Sequence, residues 1–516
     1  MAAGPEGDMS PRQEPVGSLA RAVAAGEVES GPGPTAPVAA PVAPVAASIA
    51  APAAPVVAGS RLVAPTSPTA PAAPSPTPWR HTPVPRPADA VHGLPPVTIA
   101  LVGAGNRGQS YLSWAQAHPD RARLVAVADP RVERREAVAA GDPTVAHYDD
   151  WRELAALGRV ADMVIVSTQD RQHAEPAKAF AALGYAVLLE KPIAPTEAEV
   201  REIVAAVRAT GVLFGVCHVL RYTPYTDLVK EVVDSGVLGR LVDVQHLEPV
   251  GWWHMAHSYV RGPWRQESTS APMLLAKSCH DLDWLRYVTG LRIEQVSSFG
   301  SLTEFRPEHK PAGAAERCLD CALEPTCPYS APRLYLGTLR ADGPIWPVSV
   351  ITTRTDEAGV VEALREGRYG RCVWDSDNDV VDHQVVAMRL EGGAAATFTM
   401  TAFSEQTHRQ TRIFGSHGFL EGDGERVRVV DFRTNTTHVL DSGVLGGSNA
   451  AGDHGGGDSG LMDAFTAAVA TGDRGWVRSG PVESLDSHLA VFAAEDARHA
   501  GEVRTVGRVD DPIPTH

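Results

Sequence analysis

The stretch LLAKSCHDLDWL, residues 274–285, sets a lysine, a serine, a cysteine, a histidine and two aspartates within one apolar run. Such a set offers a thiol nucleophile, a metal-binding pair or a histidine acid/base. Spacing begins to separate them. Leu275, Cys279, Leu282 and Leu285 recur at helical intervals and mark one buried face of a helix over 274–289, so Cys279 reads as a packing residue. Lys277, His280, Asp281 and Trp284 fall on a neighbouring face. Nothing within the stretch decides which of these polar groups reacts.

A second set lies upstream. Gly103, Gly105 and Gly108 spell G-x-G-x-x-G directly after the β-branched run VTIALV and at the opening of a helical pattern, with Asp129 ending the next strand. In that context the glycines let the backbone approach a pyrophosphate at a helix N-terminus, and an acidic residue about 20 positions on receives the ribose hydroxyls. Gly103, Gly105, Asn106, Arg107 and Gly108 are therefore candidate cofactor contacts. Asp129 favours NAD, while Arg131 two residues later would suit a 2′-phosphate and keeps NADP open.

These groups need a scaffold, and the chain supplies two. Residues 1–94 are dominated by Ala, Pro, Gly, Ser and Val, too poor in large side chains for a core, and read as a disordered tail. From 95 to 218, short apolar strands alternate with amphipathic helices, the signature of a doubly wound parallel (Rossmann) sheet. From 219 to 516 the rhythm turns to longer alternating strands, including a hairpin around Gly392-Gly393. This predicts an open, mostly antiparallel sheet domain with further helices near the C-terminus. The fold class is thus α/β followed by α+β.

AVLLEKPIA, residues 186–194, puts Glu190 and Lys191 before a proline at the end of a parallel strand, the ligand-binding edge of such a sheet. With the glycine fingerprint and the sheet domain, residues 95–516 resemble the Gfo/Idh/MocA oxidoreductases. The resemblance implies NAD(P)-dependent chemistry at a carbinol of a sugar, cyclitol or derivative, and a dimer or tetramer built through the sheet. It places Lys191 beside nicotinamide and substrate oxygen, with Glu190 as its neighbour. It brings Ser167 and Thr168 to the nicotinamide side, where Gln169 stands in place of the usual proline, and His173 to the same site. In the family the later helix usually carries Asp-x-x-x-His. His280 matches the histidine and becomes the proposed acid/base, but the aspartate's position is Ala276. Lys277 or Asp281 is left to take the missing carboxylate's part.

The loop GWWHMAHSYVRGPWRQE, residues 251–267, mixes aromatic faces and polar donors as carbohydrate sites do. His254, His257, Tyr259, Arg261 and Trp264 are its candidate substrate contacts, with Arg221 a further one. RCLDCALEPTCPYSA carries Cys318, Cys321 and Cys327, and Cys372 follows in GRCVWDSDND; four thiolates suggest a structural zinc. A net charge of −16 argues against nucleic-acid or anionic-membrane partners. No apolar run is long enough to span a bilayer and the first residues lack a secretory pattern, so the cytoplasm is the expected location. The leading expectation is an NAD-dependent dehydrogenase acting on a sugar-like carbinol. Its rivals are an NAD-retaining enzyme that cleaves glycosides through a transient keto-sugar, and a non-catalytic sugar or nucleotide sensor on the same fold.

Overall fold

A computed structural model describes residues 87–443 and 453–511; the expected tail lies almost wholly outside the described residues. Six strands, β1 (Val97–Val102), β2 (Ala122–Ala128), β3 (Ala146–Tyr148), β4 (Met163–Val166), β5 (Ala186–Leu189) and β6 (Phe214–Val216), pair in parallel in the order β3-β2-β1-β4-β5-β6. Apart from β3 and the N-terminal halves of β1 and β2, nearly every residue in them is buried. They therefore read as continuous apolar runs rather than as an alternation. The strand order reverses between β1 and β4, and the crevice at their C-terminal ends is where such sheets bind ligands.

The second sheet holds β7 (Leu241–Pro249), β8 (Ile293–Ser301), β9 (His383–Leu390), β10 (Ala395–Thr401), β11 (Gln410–Gly415), β12 (Gly418–Gly422), β13 (Arg426–Asp431), β14 (Thr436–Asp441) and β15 (Arg504–Thr505). Its order is β14-β13-β12-β11-β7-β10-β9-β8-β15, antiparallel throughout except for β7 beside β10. The predicted hairpin joins β9 to β10, with Gly392 and Gly393 both at positive φ in its turn. Along β9 and β10 one face is buried (Val386, Met388, Phe398, Met400) under the helices Cys279–Thr289 and Pro481–Ala500. The opposite face is open and carries Phe299 of β8 directly across from Val385 of β9.

Two features depart from the linear reading. The helix expected over 274–289 is broken into Met273–Ala276 and Cys279–Thr289, with Lys277 and Ser278 between them. Residues from near the C-terminus also return to the first sheet. Leu461, Met462 and Phe465 of the helix Asp453–Thr471 pack with Ile99, Leu101 and Leu188, and the Val216 amide of β6 donates to the Ser479 carbonyl. Gly215 of β6 leaves only 3.0 Å between a would-be Cβ and the Phe465 ring, so the helix can approach the strand this closely only because the residue is glycine.

Candidate active site

The glycine turn closes on the end of β4. Gly103 sits at φ +90°, and a Cβ there would stand 2.6 Å from the Ser167 carbonyl oxygen; one at Gly108 would stand 2.4 Å from the Gly103 carbonyl. Both positions exclude any side chain. Ser167 donates its hydroxyl to the Gly103 carbonyl at 2.7 Å, locking turn to strand. The helix Asn106–Ala117 then starts with Gly105 at its N-cap and no side-chain cap, so its first amides remain available to an anion. Asp129 is buried beneath the turn. Its carboxylate accepts from the Ala104 amide (2.9 Å), the Arg131 amide (2.9 Å) and Arg131 Nε (3.2 Å). Arg134, which sequence reasoning missed, brings its guanidinium to within 3.2 Å of where a Gly105 Cβ would be. Bare amides, a cradle that only glycine permits and a carboxylate two residues from an arginine fit a dinucleotide.

Glu190 and Lys191 follow β5, with a cis peptide bond between Lys191 and Pro192. The Glu190 carboxylate is buried and receives Arg107 Nε at 2.7 Å, the Tyr111 hydroxyl at 2.6 Å and the Lys191 amide at 2.8 Å. Burial pushes Glu190 toward protonation, but the charges of Arg107 and Lys191 outweigh it and hold the carboxyl below its usual range. Arg107 also grips Asp458 with both terminal nitrogens (3.0 and 2.6 Å), and Asp458 pairs with His454 Nδ1 at 2.9 Å. The turn helix, the strand-end carboxylate and the HGGGD segment (454–458) are thus one ionic network, to which the backbone amide of Lys191 is tied through Glu190. Arg107 and Glu190 hold the site's frame. Thr168 donates to the Gln172 carbonyl, and His173 is fully buried with its ring nitrogens facing the carbonyls of Pro192 (2.8 Å) and Thr168 (3.2 Å), tying the end of β4 to this loop.

Lys191 Nζ donates to the main-chain carbonyl of Ala276 at 2.6 Å. The position expected to carry an aspartate thus contributes a backbone oxygen instead. Beyond the helix break lies His280, buried, its Nδ1 without a hydrogen-bond partner and its ring edge-on to that of His218. Burial, and then the charge of Lys191, depress its pKa well below the ordinary histidine value, so the imidazole is neutral. Neither expected substitute orients it. Lys277 pairs with Glu248 at 3.0 Å. Asp281 takes Arg409 Nε at 2.6 Å and His246 at 3.2 Å. Burial lowers the Lys277 pKa against the raising effect of Glu248. Arg409 Nε also lies 3.0 Å from Glu248 Oε2, in a geometry too bent for a hydrogen bond, so that buried oxygen still lacks a donor. His254 joins this group: burial, then Lys277, His257 and His454, lower its pKa. Glu248 Oε2, which has an ion-pair neighbour but no hydrogen bond, and His280 Nδ1, which has no hydrogen bond, are what hydroxyls of a small polar ligand would satisfy.

Other candidates are committed elsewhere. Arg221 is buried in a two-pronged ion pair with Asp283 (2.6 and 2.7 Å), beneath rather than in the cleft. Nδ1 of His257 meets the Tyr335 hydroxyl at 2.7 Å and its ring stacks on Tyr369. Arg261 donates to the carbonyls of Arg371 and Tyr329. All three are buried on fixed partners, although Arg261 keeps one buried nitrogen, Nη1, without any. Tyr259 packs between His254 and Trp264. Trp284, on the supposed reactive face, stacks on His246 and donates to Thr226. The zinc expectation is not met: among the described residues no three of the four cysteine sulfurs lie mutually within 4.8 Å, whereas a tetrahedral zinc needs about 3.8 Å between them. The glycine-rich HGGGD run marks Asp458 in the sequence, whereas sequence reasoning missed Glu248, Arg409 and Tyr111, which carry no local motif and are assembled by the fold.

Two family models match the chain: an oxidoreductase family NAD-binding Rossmann fold over residues 97–218, and the same family's C-terminal alpha/beta domain over 230–474. The chain belongs to the Gfo/Idh/MocA oxidoreductase family. Among curated members, the putative oxidoreductase YteT of Bacillus subtilis (strain 168) is 24% identical over 292 residues, 54% of this chain and 65% of that protein. Inositol 2-dehydrogenase of Streptomyces avermitilis is 31% identical over 220 residues, 42% of this chain and 59% of that one. The chain therefore spans less than two thirds of the length of either relative. A levoglucosan dehydrogenase solved with NADH and levoglucosan superposes with TM-score 0.57 at 17% identity, covering 80% of this chain and 99% of that one. An oxidoreductase from Agrobacterium radiobacter solved with NAD+, L-tartaric acid and magnesium gives 0.58 at 15%, covering 80% and 98%. These two likenesses concern the fold. Among the described residues no helix is long and apolar enough to cross a membrane.

Proposed function

We propose that this family member is an NAD-dependent dehydrogenase that oxidises or reduces a carbinol of a cyclitol or sugar. The observation that carries the reading is the position of Lys191: it follows the strand-end Glu190 that Arg107 of the turn helix holds, and its ammonium is anchored to the Ala276 carbonyl near a neutral His280 whose Nδ1 has no partner. A bound nicotinamide would supply the hydride acceptor. In the oxidative direction the substrate hydroxyl gives its proton to the neutral imidazole of His280 while Lys191 steadies the charge that grows on the oxygen. Burial and the Lys191 charge make the imidazolium a poor resting state, so the ring gives up its proton after each turnover. Glu248, Lys277 and His254 would read neighbouring hydroxyls, which fits the polyol substrate of the inositol dehydrogenase relative. Asp129 favours NAD, with Arg131 and Arg134 bordering the ribose end. The open face of the second sheet, with its Phe299–Val385 pair, is the surface on which we place a homo-oligomer contact.

Absorbance of reduced nicotinamide over a panel of cyclitols and sugars tests the assignment; a protein that binds no dinucleotide overturns it. A redox-neutral reading draws support from the surplus of titratable groups, since hydride transfer alone does not require Lys277, Glu248 and His254 together. Its mark would be a cofactor that copurifies with the protein and cycles without net accumulation of the reduced form.

A further inference from the structure

Residues 302–382 are inserted between β8 and β9, and the chain gathers four of its six cysteines there. Cys318 and Cys321 flank a single 3-10 turn, Cys327 follows the next turn, and an antiparallel bridge between Arg317 and Arg371 carries Cys372 to the same place. The Cys372 amide donates to the Glu316 carbonyl at 2.7 Å, fixing that strand against the first cysteine. All four thiols line one cavity of about 220 Å³, which is more room than a single ion occupies. The sulfurs are likewise spread too far for one tetrahedral ion, as already described.

Donors face the sulfurs, although burial raises the pKa of the Cys327 and Cys372 thiols as long as no cation is bound to them. Arg261, 2% exposed, lines the cavity and donates from Nη2 to Cys318 Sγ at 3.5 Å, while its Nη1 is buried with no partner at all. The amides of Tyr329 and Trp374, each two residues beyond a cysteine, donate to the sulfurs of Cys327 and Cys372. A guanidinium and main-chain amides pointed at cysteine sulfurs are the second-layer contacts of metal–thiolate centres. The insert also needs fastening. Its own apolar core is limited to a few side chains, such as Ala331, Leu334, Tyr335 and Val360, with Cys318 at its edge.

We propose that Cys318, Cys321, Cys327 and Cys372 hold an iron–sulfur cluster that staples the insert to the segment carrying Arg261. Several metals bridged by sulfide separate their cysteine ligands farther than one zinc does, which matches both the spread of the sulfurs and the size of the cavity. The segment Met255–Arg261 follows directly on His254, so the cluster would brace one wall of the cleft without touching substrate. This inference is independent of the dehydrogenase reading.

The test is metal, acid-labile sulfide and visible absorption on the full chain, purified without oxygen and then reconstituted with ferric iron, sulfide and a thiol reductant. The expected result is iron and sulfide in equal amounts, at least two of each per chain, with a sulfur-to-iron absorption band that dithionite bleaches. Cys321→Ser and Cys327→Ser, at the less buried positions, should lose most of the iron while keeping the wild-type far-ultraviolet circular dichroism. One zinc per chain without iron overturns the proposal, as does wild-type protein with neither iron nor sulfide after reconstitution. The wild-type measurement decides the matter even where a variant fails to fold.

Discussion

Lys191 and His280 divide the proposed chemistry between a charge and a proton acceptor, and each can be removed separately. Lys191→Met should lower kcat by about 10²- to 10⁴-fold while leaving the dissociation constant for NAD within a few-fold, because the glycine turn and Asp129 do not depend on its Nζ. An equal loss of NAD affinity, read by nicotinamide fluorescence, would assign Lys191 to cofactor binding instead. His280→Gln should cost a similar factor and remove the acid limb of the pH–rate profile. That limb lies below the ordinary histidine range, since burial and Lys191 push the His280 pKa down. Asp129→Ala should weaken NAD more than NADP, narrowing the ratio of their kcat/KM values about tenfold, because Arg131 and Arg134 remain to meet a 2′-phosphate. Lys191, His280, Asp129 and Arg131 could be named as candidates from the sequence because each sits in a short stretch whose context suggests its place, whereas Arg134 could not. Nor could Glu248 and Arg409, since their pairing with Lys277 and Asp281 joins β7, the break at 277–278 and the segment before β11, and no local spacing encodes it.

The glycine turn is the element on which cofactor binding rests. Gly103→Ala would force a methyl group to within 2.6 Å of the Ser167 carbonyl at a φ of +90°. It should abolish NAD binding in calorimetry while the second sheet keeps its melting transition. Strand–helix alternation pointed to the first sheet, longer strands of alternating polarity to the second, and the two glycines to the hairpin at Gly392-Gly393. The break in the 274–289 helix escaped that reading, because the apolar periodicity runs straight through it. Ser278 donates to the Met400 sulfur there, and Lys277 turns aside toward Glu248. Loop residues misled in the same way. The side chains of His257, Arg261 and Arg221 look like ligand donors in sequence, yet all three are enclosed by partners from distant segments, Tyr335, Tyr329 and Asp283.

At the scale of the whole molecule, buried histidines set the response to acid. Burial pushes His218 and His257 down to about 3 and His488 down to about 4. In the unfolded chain these rings take up protons near the ordinary value of about 6.5, while the folded chain stays unprotonated until pH 3–4. As pH falls below 6.5 the unfolded state therefore binds more protons. Each ring removes up to about 1.4 kcal/mol of stability per pH unit until its folded pKa is reached. The Tm should fall already between pH 6.5 and 5, above the range where paired carboxylates such as Asp283 begin to protonate; a flat Tm over that interval would contradict the buried, neutral assignment. On the outer sheet face, Phe299 is 70% exposed and faces Val385 at 39%. Phe299→Asp should reduce the proposed homo-oligomer to a monomer in light scattering without lowering its Tm by more than a few degrees; a wild-type protein that is already monomeric would remove that proposal.

The return of the helix Asp453–Thr471 to the first sheet has a consequence for how the chain is made. A ribosome has delivered every strand of the nucleotide-binding sheet once residue 216 has emerged. Leu461, Met462 and Phe465, which close one side of that sheet, and Asp458, which clamps Arg107, arrive only after strands β7 to β14 of the second sheet have been made. The nascent first half must wait with an apolar side uncovered, a natural substrate for a chaperone. A messenger truncated before residue 453 should yield a product that aggregates rather than a free-standing NAD-binding fragment.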